Sequence, residues 1–205
     1  MTMIDKRSVA LGAIALLAGT ATGLLTIVGQ KHLPGSLNAI ANSGAVWLIP
    51  AFFIASAGRT KRAAILLGIE TLLACVLSYY LAESFINEHA FPMENHYFYL
   101  WLACAVIFGV IFGLGAYFRR QKSAQHEWGA NLLPAVFLSE GLSELIHLSD
   151  YAHMIPAIAG RIAIGLILYG SINRKHVFGA ESLICFAVLS ALGLAGFELL
   201  YRLTV

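Results

Sequence analysis

Five ionisable residues sit where their chemistry is expensive. Glu70, Glu140, Glu144, Arg161 and Glu198 interrupt long apolar runs. A charged group at the centre of a membrane-spanning helix costs about 2.5–3.5 kcal/mol on insertion scales, so each must pair, titrate or meet a polar cavity. Depth along a helix follows from its rise of about 1.5 Å per residue, which puts Glu140 about 12 Å and Glu144 about 6 Å from the nearer end of their run. Arg161 lies about 10 Å into the next, antiparallel run. The shared depth predicts a buried ion pair between Glu140 and Arg161, with Glu144 as the alternative partner. Removing one member should be harmful, because the other charge is then stranded in low dielectric.

Spacing of i, i+4 and i+7 also places Glu140, Glu144 and His147 on one helix face. Glu144-x-x-His147 has the Glu-x-x-His spacing of di-iron bundles, which need that motif twice and two further Glu residues. The chain has no second copy. No metal site and no cofactor are assigned, and an intramembrane metal-dependent enzyme is the weakest of three readings.

More polar residues collect toward the same ends of their runs: Thr26, Gln30, Asn38, Asn42 and Ser43, then Tyr79, Tyr80, Glu83 and Glu198. They fit the lining of an outward-facing polar cavity. They fit equally a structural polar network, with Tyr79, Tyr80, Tyr97, Tyr99, Trp101 and Tyr201 in the aromatic belt at the membrane interfaces. Glu70 lies in the opposite half, as a separate proton-carrying acid or a helix-packing partner.

The elements that must hold these residues follow from composition. The chain is 59% hydrophobic and 12% charged, with a mean hydropathy of +0.78. Soluble domains carry about 25% charged residues, so half that amount excludes a water-soluble globule. A bilayer crossing takes about 20 apolar residues, and such runs occur at 9–30, 38–57, 63–86, 97–118, 129–148, 154–172 and 179–201. Uniformly apolar runs satisfy their backbones as helices. The expected fold is an all-α bundle of about seven spans, one integral membrane domain over 1–205. The lipid bilayer is its first partner.

Basic residues mark the cytoplasmic side. Lys6 and Arg7, then Arg59, Lys61 and Arg62, then Arg119, Arg120 and Lys122, then Arg174 and Lys175 occupy alternate loops. The other loops carry Lys31, then Glu83, Glu88 and Glu94, then Asp150. The expected topology is N-terminus inside and C-terminus outside, and the first run, too long for a signal-peptide core of 7–15 residues, reads as an uncleaved helix. Segments 23–49 and 141–167 align at an offset of 118, with identities that include Gly23/Gly141, Ala39/Ala157, Ile40/Ile158 and Leu48/Leu166. This reads either as a parallel three-plus-one-plus-three repeat or as shared apolar composition. Gly19-x-x-x-Gly23 and Gly109-x-x-x-Gly113 allow close helix approach. Pro50, Pro134 and Pro156 are candidate kinks. Cys75, Cys104 and Cys185 lie inside apolar runs, away from any disulfide or zinc pattern.

Several functions are excluded by motif. There is no phosphate-binding Gly-x-x-x-x-Gly-Lys loop and no dinucleotide fingerprint, and the small basic clusters orient the chain and do not form a nucleic-acid surface.

The stretch Gly29-Gln30-Lys31-His32-Leu33-Pro34-Gly35, followed by Leu37-Asn38-Ala39-Ile40-Ala41-Asn42-Ser43-Gly44-Ala45-Val46-Trp47, resembles an uncharacterised bacterial family of small multi-span membrane proteins. Phe137-Leu138-Ser139-Glu140-Gly141-Leu142 carries the same resemblance. It covers most of the chain and implies a bacterial inner-membrane location. It puts Asn42, Ser43, Trp47 and Glu140 in the family's characteristic segments and implies no activity.

The expected function is a small-solute carrier or solute-binding component. Its site would draw on Gln30, Asn42, Ser43, Trp47, Glu140, Glu144, His147, Arg161 and Glu198. The alternative is a structural or regulatory membrane protein whose buried charges only fix helix packing. A second copy or a partner membrane subunit is compatible with either.

Overall fold

The computed structural model describes residues 6–87, 93, 95–121, 125–174 and 177–204. Glu88, Glu94, Lys122 and Lys175, used above for topology, lie outside the described residues. Among the described residues the chain is helical, without a strand. Long helices are α1 (Lys6–His32), α3 (Gly44–Ala55), α4 (Lys61–Asn87), α5 (His96–Phe118), α6 (Gln125–Ile146), α8 (Ile155–Ile172) and α9 (Ala180–Thr204). Two single-turn helices intervene, α2 (Asn38–Ala41) and α7 (Leu148–Tyr151).

Six segments are long and apolar enough to cross a membrane: Lys6–His32, Gly35–Ala55, Lys61–Ile86, His96–Phe118, Leu148–Ile172 and Ala180–Thr204. The expected fifth span forms as α6 but is not one of the six, because Asn131, Ser139, Glu140, Ser143 and Glu144 dilute its apolar content. The same helix has the longest set of buried residues, those four polar positions Asn131, Ser139, Glu140 and Ser143 among them. It is shielded by protein, packing against both α8 and α9. Its polar groups therefore face other helices and not a hydrocarbon surface.

The second expected span, 38–57, is not one continuous helix. It opens with a 3-10 turn at Gly35–Leu37 and the single turn α2, and breaks at Asn42 before α3 begins. Hydropathy continues across the break, so only the polar pair Asn42-Ser43 marks it. The prolines also divide. Pro50 and Pro134 lie inside α3 and α6, whereas Pro156 is in the first turn of α8, where its missing N–H has no intrahelical partner to lose.

The chain forms two compact units. The first comprises residues 1–28 and 47–117 and is held by small residues and aromatics. A Cβ built on Gly19 would lie 2.1 Å from the Thr71 carbonyl oxygen, and one on Gly23 would lie 2.4 Å from that of Cys75. A Cβ on Gly109 or Gly113 would lie 2.6 Å from Ile69 Cα or 2.7 Å from the Ala64 carbonyl oxygen of α4. Both Gly-x-x-x-Gly pairs thus serve helix contact with α4. Trp47 donates its indole N–H to Thr26 Oγ1 at 2.9 Å and packs against Tyr79 and Trp101. Tyr79 and Tyr80 are buried here.

The second unit comprises residues 29–46 and 118–205. It is built around α6. Gly141 meets Ile158 and Ile162 of α8, and Gly193 of α9 approaches Ser139. Gly23 and Gly141, aligned by the offset above, therefore meet non-equivalent helices. Cys75, Cys104 and Cys185 are free and buried.

Candidate functional site

The break in the second segment leaves helix ends with unsatisfied backbone groups, which need partners when buried. Ser43 is the residue before α3, and its hydroxyl accepts the Val46 N–H at 3.3 Å, the usual side-chain cap of a helix start. The same hydroxyl donates to Glu140 Oε2. The Gly44 N–H, first of α3, donates to Glu140 Oε1 at 3.0 Å. A carboxylate at this position satisfies a free donor and meets the positive end of the helix.

On the other side of the break, the Ala39 carbonyl in α2 accepts from Arg161 Nη2 at 2.6 Å. Arg161 Nη1 donates to Glu144 Oε2 at 2.7 Å, and Nε lies 3.4 Å from Glu140 Oε2. Arg161 is 2% exposed and Glu140 7%. Both partners expected for Arg161 are thus used at once: Glu144 takes the shorter hydrogen bond, and Glu140 the ion pair. Among the described residues the Nε donor itself has no hydrogen-bond partner. Two carboxyl groups face one guanidinium, so the cluster is neutral when one of the two is protonated and carries one negative unit when neither is.

The i, i+4, i+7 face divides at the helix end. Glu140 and Glu144 turn toward α8, but α6 ends at Ile146 and His147 adopts φ −96° and ψ 37°. Its N–H still donates to the Ser143 carbonyl at 3.2 Å, so it shares a face with Ser143. His147 Nε2 instead meets Glu198 Oε2 of α9 at 2.9 Å, while Ser143 donates to Glu198 Oε1 at 2.8 Å. The His147 ring stacks on Tyr201 at 3.8 Å, and the Tyr201 hydroxyl donates to Asp150 Oδ2 at 2.6 Å. This second cluster is more open to solvent than the first, with about a quarter of the His147 and Glu198 side chains accessible. Among the described residues, no three His, Cys, Asp or Glu side chains come together as a metal-ligand group.

Residues 4–203 match the Family of unknown function (DUF6518). The chain belongs to this family. The resemblance carried by 29–47 and 137–142 pointed to a family without assigned activity, and DUF6518 is of that kind. No curated protein and no solved structure matches the chain.

Of the other residues expected at a site, Asn42 is the exposed turn residue of the break, and Gln30 is half-buried near the end of α1. Neither side chain makes a hydrogen bond among the described residues. Trp47 belongs to the aromatic cluster of the first unit, bonded to Thr26. Glu70 is on α4, half-buried, in the first unit.

Sequence reasoning missed a third polar group. Asn131, fully buried, donates to the Glu127 carbonyl at 2.8 Å and to Ser182 Oγ at 3.3 Å. It also accepts from Asn173 Nδ2 at 2.8 Å. The available signal was an asparagine within the apolar run 129–138 and another ending the run at 172. It missed two backbone contributions as well, the Gly44 N–H and the Ala39 carbonyl, which depend on a break that hydropathy does not register.

Proposed function

We propose that this family member is a multi-pass membrane carrier or solute-binding component whose site lies where the broken second segment meets Glu140, Glu144 and Arg161. The observation that carries this reading is the break itself. Irregular backbone at membrane depth is tolerated where it is buried in protein or lines a cavity, and discontinuous helices are where transporters bind substrates and coupling ions. Here both sides of the discontinuity are engaged by charged side chains. Two carboxyl groups against one guanidinium favour a small, positively charged solute, which would take the place of a proton on the second carboxyl.

The accompanying topology is seven crossings with the N-terminus inside and the C-terminus outside, in a bacterial inner membrane. The burial of α6 between α8 and α9 supports counting it as a crossing despite its polar residues. On that topology the cluster lies toward the outer side.

A second reading has its own support. Ser43, Glu140, Glu144 and the guanidinium Nη groups all have partners within the protein, as a purely structural network would. A thermal-shift screen of the purified protein in detergent, against small metabolites grouped by charge, separates the two. The carrier reading expects cationic members to raise the midpoint in the wild type and to lose that effect in Glu144→Gln, which leaves Arg161 its contact with Glu140. The structural reading expects Glu140→Gln to lower the midpoint with no ligand-dependent shift in any variant.

A further inference from the structure

We propose that the basic end of the first unit binds an anionic phospholipid, whose phosphate is held by cations of α1 and of the turn that leads into α4. This rests on α1 and α4 crossing a bilayer and not on what the second unit binds.

Lys6 and Arg7 open α1, while Arg59, Lys61 and Arg62 surround the start of α4. All five side chains are exposed. Arg7 Nη2 donates to the carbonyl of Ala57, fifty residues away, at 3.4 Å, so the two groups come together. The turn itself is closely built. The Gly58 N–H donates to the Ala55 carbonyl at 2.9 Å, and a Cβ on Gly58 would lie 2.6 Å from the Ala64 amide nitrogen. Thr60 Oγ1 accepts the Ala63 N–H at 3.1 Å, a side-chain cap for α4. Arg59, Lys61 and Arg62 are therefore displayed from a defined turn.

The charge at this end is one-sided. Among the described residues of the first unit the acidic side chains are Glu70 and Glu83. Glu70 Oε2 is level with Gly12, which is about 9 Å along α1 from Lys6. Glu83 is about 33 Å along α4 from Lys61. Asp5 precedes Lys6 in the sequence and lies outside the described residues. Even with Asp5 counted beside Glu70, five cations face two carboxylates. Arg119 and Arg120, which follow α5 in the chain, add the same sign.

Orientation in the membrane needs basic loops, but it does not need them gathered or set at a helix start. Lys61 and Arg62 occupy the first turn of α4, which has no acidic residue, and a cation there opposes the positive end of the helix dipole. A phosphate beside them offsets that cost and their mutual repulsion.

The apolar residues one turn further in select a lipid over a soluble anion. Lys6 and Val9 share a face of α1 by i, i+3 spacing, and Arg62 and Leu66 share one of α4 by i, i+4. Val9 is 57% exposed and Leu66 47%. Cations at the rim followed by bare apolar side chains match the order of groups in a phospholipid, a charged head and then hydrocarbon. On the topology proposed above this lipid belongs to the cytoplasmic leaflet, where juxtamembrane Lys and Arg attract anionic headgroups.

The test is lipid retention by the full-length protein, stripped in detergent and offered phosphatidylglycerol and phosphatidylcholine in equal amounts. Native mass spectrometry then reads the lipids kept by the folded protein. The wild type is expected to be enriched several-fold in phosphatidylglycerol. Neutralising a cation should lower that enrichment by up to about fivefold, so Arg59→Gln with Arg62→Gln should remove most of it. Lys31→Gln with Arg174→Gln takes the same charge from the second unit and should keep it. Inorganic phosphate in large excess, against chloride at matched ionic strength, should not displace the lipid. Equal retention of the two lipids by the wild type would overturn the proposal, and that arm stands whether or not any variant folds. Equal losses in the two double variants, or displacement by inorganic phosphate, would overturn it as well.

Discussion

The two units meet the same demand, stable helix packing without a hydrophobic drive from lipid, in different ways. In the first unit α1 and α5 approach α4 at Gly19, Gly23, Gly109 and Gly113, and an aromatic cluster around Trp47 fills the wider space. Among its described residues, Glu70 makes neither an ion pair nor a hydrogen bond. In the second unit, α6 brings polar groups to both neighbours: Glu140 and Glu144 to Arg161 on α8, Ser143 to Glu198 on α9. Close packing by glycine is cheap and needs no charge. A buried charged cluster is a costly route to the same end, since well-packed apolar residues of similar volume are often as stable. That difference is the reason for assigning binding to the second unit.

The largest effect should come from Arg161→Met, which strands Glu140 and Glu144 together. A buried pair broken on one side costs about 3–5 kcal/mol, read as the loss of folded protein in a detergent denaturation series. The triple variant Glu140→Gln, Glu144→Gln and Arg161→Met, which leaves no stranded carboxylate, should recover much of that loss, because residues in one network are non-additive. If the single and triple variants were equally destabilised, the charges would not be coupled and the contrast between the units would fail.

Next is Gly19→Val. The added side chain meets the Thr71 backbone, and overpacking of this kind costs about 1–3 kcal/mol. Gly12→Ala, in ordinary contact with Glu70 Oε2, should change stability by less than about 0.5 kcal/mol. Equal effects at the two glycines would remove close packing as the basis of the first unit.

Asn131→Ala leaves Asn173 without its acceptor and Ser182 without its donor. The expected loss is about 1–3 kcal/mol for buried groups left unpaired, measurable by the same denaturation series. His147→Phe keeps the ring that stacks on Tyr201 and removes the contact with the partly exposed Glu198, so it should be the mildest change of the set in thermal midpoint.

How much of this was legible in the sequence varies by the physics involved. Long apolar runs and the rise per residue locate helices and depths, so the helical elements and the meeting of Glu140, Glu144 and Arg161 follow from one dimension of information. Rotation about a helix axis is harder. Spacing set His147 beside Glu140, yet α6 stops one residue earlier and His147 turns to Glu198. The break at Asn42-Ser43 was hidden because Ala39, Ile40 and Ala41 are as apolar as the helix that follows. Asn131 and Asn173 are forty-two residues apart, and nothing local links two asparagines across that separation.

The central claim is that the charges of the second unit serve a bound solute and not packing alone. The variant with Glu140→Gln, Glu144→Gln and Arg161→Met retains the volume of the cluster without its charge, and comparing it with the wild type in the metabolite thermal-shift screen is the most direct test. The account predicts a folded triple variant that has lost every cation-induced shift seen in the wild type. A triple variant that folds and responds as the wild type does would contradict it.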